Sequence, residues 1–337
     1  MTPAPAPNSS SSSTSAPAAD NRRARGSAAP AATLDCLVIG GGPAGLTAAT
    51  YLARFHRRIL VVDDGHSRAR WIPTSHNCPG FPGGVAGSTL LQRLRAQAQD
   101  FAVPIIDGRI ETLQRDGDDF IAGNGRRQWR AHYVCLASGV VDRMPAMEQL
   151  DEAIDSGAVR LCAVCDGFEA SDERIAVYGP VEQAIEHALF LRTFSRSVAV
   201  VRSQDGEPDA EHAARARRAH VALLPPASAL RHERGCVVEF AHGEPWRFDT
   251  LYPVLGGDAQ SALALALGAR CDDEGALVVD KHQQTSVDGL YAIGDIVSAL
   301  NQISVAVGHA AVAACAIHNR LPNNFREDRA HQAQAGA

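Results

Sequence analysis

Lysine is almost absent from this chain. Lys281 is the single lysine among 337 residues, so no G-x-x-x-x-G-K-[ST] loop can be drawn and the P-loop nucleotide hydrolases are excluded. Positive charge is not in surplus either: 32 Lys and Arg face 38 Asp and Glu, a formal charge of −6. That balance argues against nucleic acid and anionic membrane surfaces as partners. No stretch supplies the roughly 18 consecutive apolar residues of a membrane span, and the chain reads as soluble. A second Cys-x-x-Cys or a His-x-x-x-His is missing too. The one such cysteine pair therefore lacks partners for a zinc site, His187, His212, His220 and His232 supply none, and no metal is expected.

What is present points to about two globular domains: 45% of the residues are hydrophobic, enough for a core in each. The eight cysteines (36, 78, 135, 162, 165, 236, 271 and 315) are spread thinly, several inside apolar runs such as LDCLVIG and YVCLASG. This is the usage of a reducing compartment, and a cytoplasmic location is expected. Residues 1–32 stand apart, with 22 Ala, Pro or Ser. Such a segment buries too little to offset its ordering entropy and reads as a disordered tail. It lacks the apolar core of a signal peptide; its arginines and few acids resemble a transit peptide, but a plain solvated tail is the preferred reading.

From Thr33 the pattern is α/β. LDCLVIG (34–40) is a continuous apolar run suited to a strand buried on both faces, GGGPAG follows, then a helically spaced LTAATYLARFHRR and a second strand ILVVDD. A similar unit begins at RIAVYG (174–179), passes through PVEQAIEHALFLRTF and ends in SVAVV; Gly40 and Gly179 are 139 residues apart. The last third holds TLYPVLG, ALVVD and LYAIGD, and closes on a helix-like QISVAVGHAAVAACAIHN. Alternating strands and helices imply parallel sheets faced by helices.

Gly40, Gly42 and Gly45 fit G-x-G-x-x-G at the first strand-to-helix junction, with Pro43 and Ala44 opening the helix. Gly40 makes the tight turn, Gly42 lets the backbone approach a pyrophosphate, and Gly45 permits close helix–sheet packing. The helix N-terminus then offers free N–H groups to the phosphates. Asp63, 23 residues after Gly40, is placed to take ribose hydroxyls, which favours FAD or NAD over a 2′-phosphorylated nucleotide. A glycine-rich turn without a ligand is the bland alternative. TSVDGLYAIGD (285–295) resembles the second FAD fingerprint of flavoproteins with two dinucleotide domains. That resemblance implies that Gly294 and Asp295 hold the ribityl chain. It also implies that the next helix, starting near Asn301, Gln302 and Ile303, points its positive end at the flavin's pyrimidine edge.

Cys162 and Cys165 sit in RLCAVCDGF. Two structural thiols are one reading. A redox dithiol is the other, since this spacing closes a small disulfide ring and lets one thiol lower the other's pKa. C-A-V-C-D-G-F then resembles the active-site motif of low-molecular-weight thioredoxin reductases. GGGPAGLTAATYLAR, HNCPGFPG, ASG at 137–139, and YAIGD followed by NQISVAVGHAAVAACAIHNRL fall in that family's order, from about Thr33 to Leu321.

The resemblance implies two Rossmann-like domains of the three-layer ββα type, the second inserted in the first. The FAD domain would comprise residues 33–141 and 257–323, the NAD(P)-binding-like domain 142–256, and 324–337 a C-terminal tail. The chain would cross between domains near Val140–Arg143 and Pro253–Gly257, and the insert would swing to present the dithiol to flavin or substrate. Cys165 would face the flavin and form a transient adduct, Cys162 would attack the substrate disulfide, and Asp166 would be the general acid–base group. Asn77 and the turn Ala137, Ser138 and Gly139 would contact FAD. Cys78 replaces a tryptophan common at its position and is either a third thiol near the flavin or an ordinary loop cysteine. The partner would be a thioredoxin-like protein or a small disulfide or dithiol, and the assembly a homodimer.

The resemblance breaks at the second unit. Where the family carries G-x-G-x-x-A, this chain reads GPVEQA: Gly179 and Ala184 are kept, but Val181 stands at the second glycine and Glu182 adds negative charge. The strand end has Arg202 where two arginines usually clamp the 2′-phosphate of NADPH. Arg215, Arg217 and Arg218 lie downstream and read as a solvated helix face. Neither NADPH nor NADH is well provided for in the usual mode. Three readings stay open: a reductase with altered NADPH geometry; a chain fed otherwise, by a substrate dithiol with oxygen as acceptor or by an iron–sulfur donor; and a non-catalytic flavin-binding redox sensor.

Overall fold

The computed structural model describes residues 33–297 and 300–326. The expected tail 1–32 and residues 327–337 lie outside the described residues. β1 (Leu34–Ile39), α1 (Pro43–Arg54) and β2 (Ile59–Asp63) form the first β-α-β unit, and α2 (Gly87–Asp100) and β3 (Ile105–Asp107) extend it. β1 is central because LDCLVI offers apolar side chains to both faces; Cys36, Leu37 and Val38 are fully buried. Proline opens α1, where its fixed φ suits a helix and its missing N–H costs no bond.

The chain then runs through β4 (Thr112–Asp116), β5 (Asp119–Gly123) and β6 (Gln128–Leu136), an antiparallel meander. This differs from the expectation of parallel strands alone. The reason is local: Gly117, at φ +62°, makes a two-residue turn between β4 and β5, too short for any crossover.

β7 (Val140–Asp142) leads away to α3 (Leu150–Asp155), α4 (Ala163–Asp166) and a second sheet. That sheet holds β8 (Arg174–Gly179), β9 (Ser197–Arg202), β10 (Ala222–His232), β11 (Cys236–Phe240), β12 (Trp246–Phe248) and β13 (Thr250–Pro253), with α5 (Val181–Leu191) and α6 (Ala210–Arg218) as crossovers. Its order is β12-β11-β10-β9-β8-β13, again parallel strands extended by an antiparallel meander. β14 (Gly257–Ala259) returns antiparallel to β7. A Cβ on Gly257 would lie 2.6 Å from Val140 Cγ1, so this crossing needs glycine. α7 (Ala262–Leu265), β15 (Leu290–Ala292) and α8 (Ile303–Arg320) complete the chain.

The first sheet runs β3-β2-β1-β6-β5-β4, and β15 pairs parallel with the second half of β6. Apolar clusters cover both of its faces. On one face α1 and α8 approach closely because Ala44, Ala48 and Ala49 meet Ala306, Ala310 and Ala313. No helix among the described residues is long and apolar enough to cross a membrane.

Candidate active site

Cys162 and Cys165 are joined by a disulfide, with Cα atoms 5.2 Å apart. Cys162 caps the short helix α4, and the Cys165 backbone N–H donates to its Sγ at 3.1 Å. Gly167, in the Cys-Asp-Gly run, leaves room for Phe194: a Cβ there would lie 2.6 Å from that ring. The other six cysteines are free thiols. Burial pushes Cys135 and Cys236 up to about 12 and raises Cys36 well above its ordinary value, so they stay protonated and inert. Cys78 packs with Val85 and Leu90 beside Ile303, and burial raises its pKa. His309 is partly buried on α8, and burial lowers its pKa.

Asp166 follows Cys165 and is held from behind. The Tyr252 hydroxyl donates to its Oδ1 at 2.9 Å, and Arg160 Nη1 lies 3.7 Å from Oδ2. Burial raises the Asp166 carboxyl to about 6, against the pull of Arg160 and Tyr252 and with help from Glu169. Burial and the neighbouring Asp166 also raise Tyr252, which therefore stays a proton donor. Neither Arg160 nor Tyr252 stood out in the sequence, although a tyrosine inside the buried strand TLYP is a signal that a hydroxyl has a partner.

The disulfide borders a cavity of about 1040 Å³ that also reaches the first glycine turn. Gly40, at φ +109°, has space for no side chain: a Cβ would lie 2.3 Å from the Ala137 carbonyl oxygen. On Gly45 a Cβ would meet the Gly40 oxygen at 2.0 Å. Gly42 faces the open cavity and caps α1 with no side-chain hydrogen bond and no acid in the first turn. Pro43 and Ala44 line the same wall. This is a cradle that a phosphate can approach and a side chain would fill.

Asp63 is buried beneath that turn. Its Oδ1 accepts from the N–H of Gly41 and Gly65, and Arg95 pairs with Oδ2 at 2.6 Å. Opposite, Ala137, Ser138 and Gly139 follow β6, and the Ser138 hydroxyl donates to the Gln260 carbonyl. Gly294, at φ +77°, precedes Asp295, which Arg68 reaches at 3.3 Å while its Nε holds Asp142 at 2.6 Å. Ile303 lines the cavity at the start of α8. Gln302, just before it, reaches further than the sequence suggests. Its Nε2 is 3.4 Å from Cys165 Sγ and 3.5 Å from Cys162 Sγ, and Asn77 Nδ2 donates to its Oε1 at 3.0 Å.

The second glycine turn is built differently. A Cβ on Gly179 would meet the Val254 carbonyl at 2.4 Å, and Ala184 is fully buried, so both serve close packing. Val181 begins α5 with Glu182 in its first turn. Arg202 donates to the carbonyls of Leu224 and Gly206 and pairs with Glu207 at 2.7 Å. Arg215, expected to be simply solvated, pairs with Glu186. Sequence spacing also concealed a grouping: Glu182, Asp209 and His212 have ligand-type atoms within 4.8 Å of one another. The group is exposed, and its His212 ring already lies 2.9 Å from Asp209 and 3.4 Å from Glu186.

The profile of the family described as Pyridine nucleotide-disulphide oxidoreductase matches residues 34–310. A thioredoxin reductase of Mycolicibacterium smegmatis is 30% identical over 276 residues, covering 78% of this chain and 88% of the relative. One from Peptoclostridium acidaminophilum is 28% identical over 318 residues, covering 87% and 98%. The crystal structure of thioredoxin reductase from Streptococcus pyogenes MGAS5005 superposes with a TM-score of 0.79 at 26% identity, over 85% of this chain and 97% of that one. With a disulfide and a dinucleotide cradle in one cavity, the chain belongs to the pyridine nucleotide-disulphide oxidoreductase family, as a flavoprotein disulfide oxidoreductase of the low-molecular-weight thioredoxin reductase type.

Proposed function

We propose that the protein passes electrons between FAD and a thioredoxin-like protein or small disulfide through Cys162 and Cys165. The observation that carries this reading is that one cavity joins the phosphate cradle to the disulfide. Gly40, Gly42, Pro43, Ala44 and Gly45 would hold the pyrophosphate, with Asp63 near the adenosine ribose. Asn77, Ala137, Ser138, Gly139, Gly294, Asp295, Gln302 and Ile303 would line the flavin and its ribityl chain. FAD, when bound, supplies two-electron chemistry at the disulfide. Residues 33–141 with 257–323 would form the flavin domain and 142–256 the insert, turning about β7 and β14 to expose the dithiol. We place the protein in the cytoplasm as a homodimer, without nucleic-acid or membrane partners.

In the reduced state the Cys162 thiolate attacks the substrate disulfide, forming a mixed disulfide and releasing one substrate thiol. Cys165 then attacks Cys162 Sγ, restoring the internal disulfide and freeing the second thiol. Asp166 takes the Cys162 proton as that thiolate forms and gives it to the first leaving sulfur, and the Cys165 proton goes to the second. Because its carboxyl titrates at about 6, the attack step should speed up through that pH and level off above it. Asp166→Asn should remove this limb and slow exchange by about 10²- to 10⁴-fold. Tyr252→Phe removes a hydrogen bond to the charged form and should move the limb to higher pH. Stopped-flow exchange across pH checks all three.

The donor is tested separately. Arg202 is already paired with Glu207 and Val181 stands where a second glycine would let a phosphate approach, so the 2′-phosphate of NADPH finds little grip. Gly179, Ala184 and Arg202 would give at most a weak nicotinamide site. Anaerobic titration should therefore show NADPH and NADH bleaching the flavin at rates within about tenfold of each other. Strong NADPH preference would mean that GPVEQA serves this donor well after all. If neither bleaches the flavin and a dithiol does, electrons enter from the thiol side.

A further inference from the structure

Cys162 and Cys165 belong to the segment leading into the second sheet, whereas Gln302 caps α8 against the first. Across that gap the Gln302 carboxamide nitrogen lies 3.4 and 3.5 Å from the two sulfurs, within hydrogen-bond range for sulfur. Its oxygen lies farther off, 3.9 Å from Cys165 Sγ, and a disulfide sulfur has no proton to give it. A carboxamide can be turned either way, so the orientation has to come from its neighbours. The Ser75 hydroxyl, almost fully buried, donates to Asn77 Oδ1 at 3.0 Å. Asn77 Nδ2 faces the Val164 carbonyl at 3.5 Å and donates to Gln302 Oε1 at 3.0 Å. With its oxygen held on the Asn77 side, Gln302 turns its NH2 group to the disulfide, and its two hydrogens suffice for both sulfurs.

Resting on the reading of Cys162 and Cys165 as the redox couple, we propose that Gln302 is a catalytic residue. Its carboxamide stabilises the thiolate formed when that disulfide opens, and Asn77 and Ser75 are the positioning residues that aim it. A disulfide sulfur is a weak acceptor and a thiolate a strong one. The bond therefore strengthens as charge develops, which is the condition for an interaction to favour the reaction rather than the resting state. The chemistry balances. A dithiol gives two electrons and is oxidised to its own disulfide, and the Cys162–Cys165 bond breaks. Of the two protons released, one ends on a cysteine sulfur and one goes to solvent, and the other sulfur remains a thiolate under Gln302 Nε2.

The experiment uses the full-length holoenzyme and does not depend on turnover. Iodoacetamide alkylation of the reduced protein across pH, read by mass spectrometry, gives the thiolate pKa of each cysteine. Equilibration in reduced and oxidised dithiothreitol, followed by alkylation, gives the disulfide's reduction equilibrium. Gln302→Met keeps length and loses the donors. It should raise the thiolate pKa by about one unit and make the disulfide about tenfold harder to reduce, about 30 mV. Gln302→Glu, which sets a carboxylate against the thiolate, should go further the same way. Asn77→Ala, which only releases the amide, should shift both about threefold. Gln302 makes no capping bond in α8, so these variants are expected to fold. Values for Gln302→Met matching the wild type would overturn the role of Gln302. A wild-type disulfide that dithiothreitol cannot open would instead remove the redox couple on which the inference stands.

Discussion

Cys165→Ser should yield a folded, yellow protein whose disulfide turnover is lower by roughly 10⁴-fold. Serine is smaller than cysteine by little, and at a partly exposed site the packing loss is small. The chemistry has no substitute: a hydroxyl cannot close a disulfide with Cys162, and no other thiol is placed to do so. Cys36, Cys135 and Cys236 are buried with raised pKa values, Cys78 sits in its own apolar cluster, and the exposed Cys271 and Cys315 do not line the cavity that the disulfide borders. Cys162→Ser should be as inactive towards a protein disulfide, because the attacking thiolate is gone. Turnover measured with a thioredoxin-like protein and with a small disulfide checks both. Retention of more than about a tenth of the activity by Cys165→Ser would point to another thiol route.

Gly42→Val should separate cofactor binding from folding. Gly42 has φ −77° and ψ −175°, a conformation open to any residue, and its added Cβ would meet only the Ser67 side chain, at 3.2 Å. The fold should tolerate the change, with a Tm shift of a few degrees. The isopropyl group then occupies the space a pyrophosphate must enter, and FAD content should drop below about a tenth of wild type. Gly40→Val and Gly45→Val should behave differently, because both collide with backbone oxygens in the fold itself. Each should cost about 3 kcal/mol or more and be recovered largely unfolded. The substitution at Gly42 also recreates what the second turn already has, where Val181 begins α5. Flavin absorbance per protein and thermal melts of the three variants decide the matter.

Legibility of the fold followed the length and purity of each signal. LDCLVIG, ILVVDD, RIAVYG and SVAVV are near-continuous apolar runs beside helices of clear spacing, and they fold as β1, β2, β8 and β9. The antiparallel meander of the first sheet rests on short turns at Gly117 and Gly125, whose Asp-Gly and Asn-Gly dipeptides carried the information. The disulfide was legible because its members are three residues apart. Tyr252 is 86 residues from Asp166, and Gln302 137 from Cys165, so neither contact follows from local pattern. Arg68 shows the same limit: it ties Asp142, at the crossing between the sheets, to Asp295 near the chain's far end. Spacing reveals a motif, but which side chains converge on it depends on the topology.

The central claim is that electrons cross between flavin and substrate by way of the Cys162–Cys165 disulfide. Its most direct test is anaerobic mixing of the oxidised holoenzyme with a small dithiol while flavin absorbance is followed. Wild-type protein should bleach quickly, and Cys165→Ser, with its flavin intact, should bleach at least about 100-fold more slowly. Equal rates in the two proteins would mean that the dithiol reaches the flavin directly, and the disulfide would have no place in the path.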